Sequence, residues 1–339
     1  MNHAVADATT IIFFMQHWSR MHECMFSPEG YQGETLSEPI FAPHLVDEQS
    51  ARALEGRDTP SLLAKAQELP TLRNELYTSK KNTTLPDRLE KPTPFGPGDV
   101  IPVGDCDQSR LMASYMLHFP KDVIDTIWEA AREQAGPNVS RQAAVVSYIW
   151  LAIARSRGWE DSEVEKQTNL FMTLDMRRRL GLPSTLLGST VTVAHIKYNG
   201  YDAISKNHGH LASRIWDTLS KYDEVGLRAT LLDVAEGKPL ISPAAWLSGR
   251  SILYSSLCHT NMYAVSFDGM SPALASPAFA GKGGMIGLLR ARPVGDTCGY
   301  PLSRFYDEGI NMFFELDRVS LTRLLEDPVM QIFRRPVIT

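Results

Sequence analysis

The chain has 339 residues, 43% of them hydrophobic and 22% charged, with a formal net charge of -5 at neutral pH. A chain of this length buries a large core and suggests two domains, and its composition excludes wholesale disorder. The acidic balance gives no reason to expect a nucleic-acid partner, whereas an anionic small ligand needs only a local basic patch.

The sequence opens Met1-Asn2-His3-Ala4-Val5-Ala6-Asp7-Ala8. His3 and Asp7 stand one helical turn apart, and an imidazole, titrating near neutral pH, suits a general base. Asp7 alone also reads as a helix cap. Ile11, Phe14, Met15, Trp18, Met21 and Met25 recur at helical spacing, and Ser27-Pro28-Glu29-Gly30 is a helix stop. From Pro28 to Gly104 proline, glycine and charge dominate, with two short amphipathic stretches, Ser61 to Leu69 and Leu72 to Tyr77. A connection this long reads as a crossover between two halves.

Leu111 to Phe119 then reads as a strand, and Lys121 to Glu133 as a helix with Ile124, Ile127 and Trp128 inward. The segment Arg141 to Arg155 is apolar on most sides, hence a buried helix, with Ser140 as its cap. A strand from Leu170 to Leu174 runs into Asp175-Met176-Arg177-Arg178-Arg179, and Val191 to Ile196 is another strand. Ile204, His208, Leu211, Ile215, Leu219 and Tyr222 mark a helix. Met262 to Phe267, Met285 to Leu289 and Ile310 to Leu316 read as strands, and Val319 to Leu325 as a last helix. Alternating strands and helices make the class α/β, without internal repeats.

Several features read as structural. Cys24, Cys106, Cys258 and Cys298 form no CxxC pair, which favours reduced thiols in a cytoplasmic protein. The apolar run Ala143 to Ala154 is shorter than the roughly 20 residues that cross a bilayer. The patch Ile11 to Met15 lacks a preceding basic residue and is too short for a signal core, so no membrane partner is expected. Gly281-Lys282-Gly283-Gly284 is a turn rather than a phosphate loop, and His208 is a packed histidine rather than a metal ligand with His210. His17 and His22 share no helix face. Arg177, Arg178 and Arg179 read equally as anion contacts and as structural groups.

Four segments, in order, resemble the CoA-dependent acyltransferases called BAHD, in their fungal secondary-metabolite branch of the trichothecene O-acetyltransferase type. Asn2-His3-Ala4-Val5-Ala6-Asp7-Ala8 resembles the HHxxxDG box, with Asn2 and Ala8 replacing His and Gly. The buried helix ending Tyr148-Ile149-Trp150 is the second segment. Leu174 to Pro183, followed by Leu187-Gly188-Ser189, is similar to the D-x-R-x-R, proline, G-N segment. Tyr263 to Pro272 sits where the DFGWGxP box belongs, with Ser266 at the Asp position and Asp268 at the first Gly position.

The resemblance implies a chloramphenicol-acetyltransferase-like two-domain fold with most of the first domain missing. Residues 1–27 would be a remnant of that domain, 28–109 the crossover, and 110–339 the second domain. It implies His3 as general base, Asp7 as an orienting residue paired with an arginine, and Asp175, Arg177, Ser266, Phe267, Asp268 and Pro272 as structural positions. The reaction implied is transfer of an acyl group from acyl-CoA (acetyl-CoA foremost) to a hydroxyl of a small secondary metabolite. No tightly bound cofactor is needed. In the family Ser255-Ser256-Leu257 would lie near the reacting carbonyl, with Leu257 replacing Trp. The chain begins one residue before the box, so the apolar stripe from Ile11 is expected to be exposed, making a monomer if complete but self-associating otherwise. Peptide-synthetase condensation domains share the first box, and a catalytically silent binding protein is the non-enzyme alternative.

Overall fold

The computed structural model describes residues 5–26, 36–70, 74–75, 99–100, 110–159, 167–200, 207–235, 250–276, 283–293, 304–328 and 330. His3, Cys106, Cys298, Lys282 and Ile204 therefore lie outside the described residues.

The centre is a six-stranded mixed sheet of β3 (Met112–Phe119), β4 (Gln167–Asp175), β5 (Val191–Asn199), β6 (Ser251–Ser256), β7 (Met285–Arg290) and β8 (Ile310–Asp317). Its order is β3-β8-β7-β6-β4-β5. The middle strands β4, β6 and β7 run parallel, and the outer pairings are antiparallel. Two further two-residue strands, β1 (Asn74–Glu75) and β2 (Asp99–Val100), pair in parallel. Asn74 and Glu75 are thus extended, where the sequence spacing of Leu72 to Tyr77 reads as helix.

One face of the large sheet is covered by α4 (Lys121–Ala135), α5 (Arg141–Ser156), α6 (His208–Ser220) and α8 (Arg318–Glu326). Helix α5 is apolar all round because it lies between the sheet and the other helices, and Ile149, Trp150 and Ile153 have no exposed surface. Burying each such side chain is worth about 1.5–3 kcal/mol. Ser140 starts α5 by accepting the Ala143 N–H at 3.1 Å. Helix α4 ends at Gly136, whose φ of 88° reverses the chain. Of its three inward-reading residues, Ile124 and Ile127 are buried, but Trp128 is half-buried, its ring stacked under Arg132 and Arg141.

Residues 36–70 contain two packed helices. Helices α2 (His44–Ala53) and α3 (Thr59–Glu68) pack on α7 (Glu224–Ala235), forming a small core of Ala53, Leu62, Ala66, Ala229 and Leu232. Asp58 caps α3 by accepting the Ser61 N–H at 2.9 Å. Pro70 is fixed to the sheet edge, its carbonyl accepting from the His195 N–H at 2.7 Å and the Tyr222 hydroxyl at 2.6 Å.

The second face of the sheet carries α1 (Ala8–Phe26) and residues 257–276 at one end. Ile12 packs there with Met116, Leu257, Met262, Leu289 and Phe313. Most of α1's apolar surface points away from the sheet. Phe14, Trp18, Met21, Met25 and Phe26 are all more than half exposed, while Thr10 and Ser19 are buried. The helix docks through polar groups, as when the Gln16 amide donates to the Asn261 carbonyl at 2.7 Å. Met262 to Phe267 is not a strand. Met262–Ala264 is a single 3₁₀ turn, and Phe267 and Met270 close a hairpin whose central residues, Asp268 and Gly269, have φ of 53° and 73°. The alternating Tyr263, Val265 and Phe267 mimic strand spacing, but they pair with no strand among the described residues.

Candidate active site

β4 delivers Asp175 to the end of the sheet where α1 begins, and the chain then winds into a compact turn. The Met176 N–H donates to the Thr190 carbonyl, Leu180 to Met176 and Leu182 to Arg177, each at 2.9 Å. Gly181 takes a φ of 65° to close the turn. Ile40 bridges it from outside, its N–H donating to the Thr185 carbonyl and its carbonyl accepting from Leu187.

Arg177, with 3% of its side chain exposed, sits inside this turn. Its Nη1 donates to Asp7 Oδ2 at 2.7 Å and to Asp175 Oδ1 at 3.1 Å. Its Nε donates to the Leu186 carbonyl at 2.9 Å and Nη2 to the Gly188 carbonyl at 3.1 Å. A planar guanidinium suits such a site because its rigid donors match several fixed acceptors at once. Asp175 completes the set by accepting the Arg177 N–H at 3.0 Å and the Thr190 hydroxyl at 3.0 Å.

Asp7 has two attachments. Oδ1 accepts the Thr10 N–H at 3.0 Å, which makes Asp7 the cap of α1. Oδ2 takes Arg177 and the Thr190 N–H, the latter at 3.3 Å. Burial alone would raise its pKa, but the Arg177 hydrogen bond and charge, with the Thr10 and Thr190 amides, hold the carboxyl below the usual carboxylate value. Thr10 and Gly188 close the arrangement reciprocally: the Thr10 hydroxyl donates to the Gly188 carbonyl at 2.8 Å and accepts the Gly188 N–H at 3.1 Å. Gly188 does this at a φ of 135°, open to glycine and strained for other residues.

The cap and the ion pair that the sequence offered as separate readings of Asp7 are therefore both present. Asp7, Asp175 and Arg177 come together; Ser266, Phe267, Asp268 and Pro272 do not join them. Phe267 lies edge-on to Trp18 and His22, each with ring centroids 5.4 Å apart, so the hairpin supports the far part of α1. Asp268 is exposed and lies 3.8 Å from His22. Ser266 and Pro272 are half-buried on either side of the turn. Thr10, Gly188 and Thr190 are the polar partners that sequence spacing alone does not single out, although Thr10 stands at the capping distance from Asp7.

His208 Nε2 is 3.0 Å from the Ile127 carbonyl and the ring meets Tyr148 edge-on. No group of three His, Cys, Asp or Glu side chains is placed to hold a metal among the described residues. Arg179 donates to the Leu219 carbonyl at 3.1 Å, while Arg178 is exposed. Among the described residues no helix is long and apolar enough to cross a membrane.

The chain matches the Transferase family over residues 1–298. It is similar to Acyltransferase AFT15-1 of Alternaria alternata, with 54% identity over 334 residues, covering 98% of this chain and 64% of that protein. Acyltransferase abl6 of Leptosphaeria maculans is 27% identical over 340 residues, covering 97% of this chain and 64% of the relative. The solved structure of F. sporotrichioides TRI101 complexed with coenzyme A and T-2 matches with a TM-score of 0.62 at 17% identity, over 98% of this chain and 64% of that one. This chain thus spans 64% of the length of these proteins. At so low an identity the structural likeness establishes the fold, which is the chloramphenicol-acetyltransferase-like α/β fold. With the family match running over most of its length, the chain belongs to the Transferase family, the BAHD-type acyltransferases.

Proposed function

We propose that this chain acts as an acyl-CoA-dependent O-acyltransferase on a hydroxyl group of a small secondary metabolite, with His3 as general base. The observation that carries the reading is the Asp7–Arg177 pair at 2.7 Å. It turns the Asp7 carboxylate inward and ties the segment four residues after His3 to the end of the sheet. A carboxylate so engaged orients the loop and is not a second base. His3 would accept the proton of the acceptor hydroxyl as its oxygen attacks the thioester carbonyl. The tetrahedral oxyanion would then collapse, the C–S bond would break, and the proton on His3 would pass to the CoA thiolate. No acyl-enzyme is required.

Relatives named acyltransferases and a neighbour complexed with coenzyme A support the donor, and the T-2 in that complex supports a small-molecule acceptor. Acetyl-CoA is the first donor to test, with thiol release measured against a panel of alcohols. Release that depends on both acceptor and enzyme is the expected result, and none with any acceptor or acyl chain length would overturn the reading. One observation favours a second reading. The outward apolar face of α1 suits a protein contact, so a chain silent in that assay would be read as a binding protein.

A further inference from the structure

A histidine outside every motif of the family resemblance lies against the Asp7 cluster. After β6 the chain makes a tight turn from Leu257 to Thr260. The Leu257 N–H donates to the Leu288 carbonyl at 2.7 Å, and both the amide and the hydroxyl of Thr260 donate to the Leu257 carbonyl, at 3.0 and 2.7 Å. Cys258 and Thr260 are buried, which fixes the turn and holds His259 at its apex. His259 itself is exposed beside α1, with Nε2 3.4 Å from the Thr9 hydroxyl. The charged groups that act on it are Asp7, Asp175 and Arg177. Desolvation of the ring by its neighbours foremost, with a smaller push from Arg177, outweighs the two carboxylates and shifts His259 below the ordinary histidine pKa. An imidazole nitrogen at this distance from a hydroxyl can share one proton with it.

Arg177, Thr190 and Gly188 grip Asp7 and Thr10 from the β4 side, whereas Thr9 meets the β6 side, through His259. We propose that His259 is a positioning residue for the acyl transfer: through Thr9 it sets the first turn of α1, and with it the loop carrying His3. The proposal rests on the acyltransferase reading above.

The test compares His259→Ala, His259→Gln, Thr9→Val and the double variant Thr9→Val/His259→Ala in the full chain. One polar contact in the loop should be worth about three- to tenfold in kcat. His259→Ala and Thr9→Val should each lose that much with KM for acetyl-CoA unchanged. The double variant should lose no more than either single one, and His259→Gln, which keeps a neutral polar group, should recover most of the rate. Amide exchange in residues 5–12, followed by mass spectrometry, should quicken in the Ala and Val variants while α5 stays as in wild type. Exchange in residues 5–12 that matches wild type overturns the proposal whether or not turnover is detectable. So do additive losses, a rise in KM alone, or failure of the Gln variant. Wild-type protein without transferase activity overturns the function instead, and the exchange result still decides the role of His259.

Discussion

Replacing Asp7 with Asn tests the joint between α1 and the sheet directly. The substitution keeps the size and an acceptor for the Thr10 amide but removes the charge opposite Arg177. Arg177 is 3% exposed, so its guanidinium would stay out of water with Asp175, at 3.1 Å, as its remaining anionic neighbour among the described residues. Breaking a buried pair by deleting one partner costs about 3–5 kcal/mol. The retained cap and Asp175 bring the expectation to about 2–3 kcal/mol, or roughly 4–8 °C in melting temperature. Urea unfolding should show a lower midpoint at an unchanged slope. The pH dependence follows from the sign of the shift. Asp7's folded pKa lies below its ordinary 3.8, so its stabilisation is complete above that value and is lost as pH falls through the folded pKa. The gap between wild type and variant should therefore be constant near neutrality and close in acid. A variant with the wild-type midpoint at neutral pH, or a gap as wide at about pH 3, would refute the reasoning.

Three further outcomes are expected. His3→Ala should lower turnover by about 10²- to 10⁴-fold without changing the melting temperature, and near-wild-type turnover would remove His3 as the base. Gly188→Ala has open space for its new methyl group but must hold a φ of 135°, so it should cost about 1–3 kcal/mol and loosen both Thr10 and Arg177; an unchanged denaturation midpoint would show that the turn relaxes freely. Size-exclusion chromatography with light scattering should find concentration-dependent self-association that weakens in Trp18→Lys/Met25→Lys. A wild-type monomer at every concentration would mean that the outward face of α1 is not an association surface.

Local chemistry made part of this legible in the sequence. Ser140 and the all-apolar run after it place α5, because a cap and a fully buried helix are both written in adjacent residues. The period of α1 is equally plain, yet periodicity locates a stripe without saying what it faces. Here the sheet takes the polar side, since Asp7, Thr10 and Gln16 find their partners there. Helix α2 escapes detection because His44–Ala53 carries few large apolar residues and packs through Ala53 on a distant α7. At the site, the helix-cap reading of Asp7 is local, whereas Thr190, Gly188 and His259 meet it only through tertiary folding, and no spacing within the chain announces them.

Asp7 and Arg177 are 170 residues apart, and that separation imposes an order on biosynthesis. At a translation rate of about 5–20 residues per second, α1 leaves the ribosome roughly 10–35 s before its anchoring turn has been made. During that interval Phe14, Trp18 and Met21 have no polar docking to orient them. The helix is therefore without its Arg177 anchor until β4 and the turn after it emerge. Slowing synthesis between Pro28 and Asp175 should lower the soluble yield more than the same delay placed after Thr190.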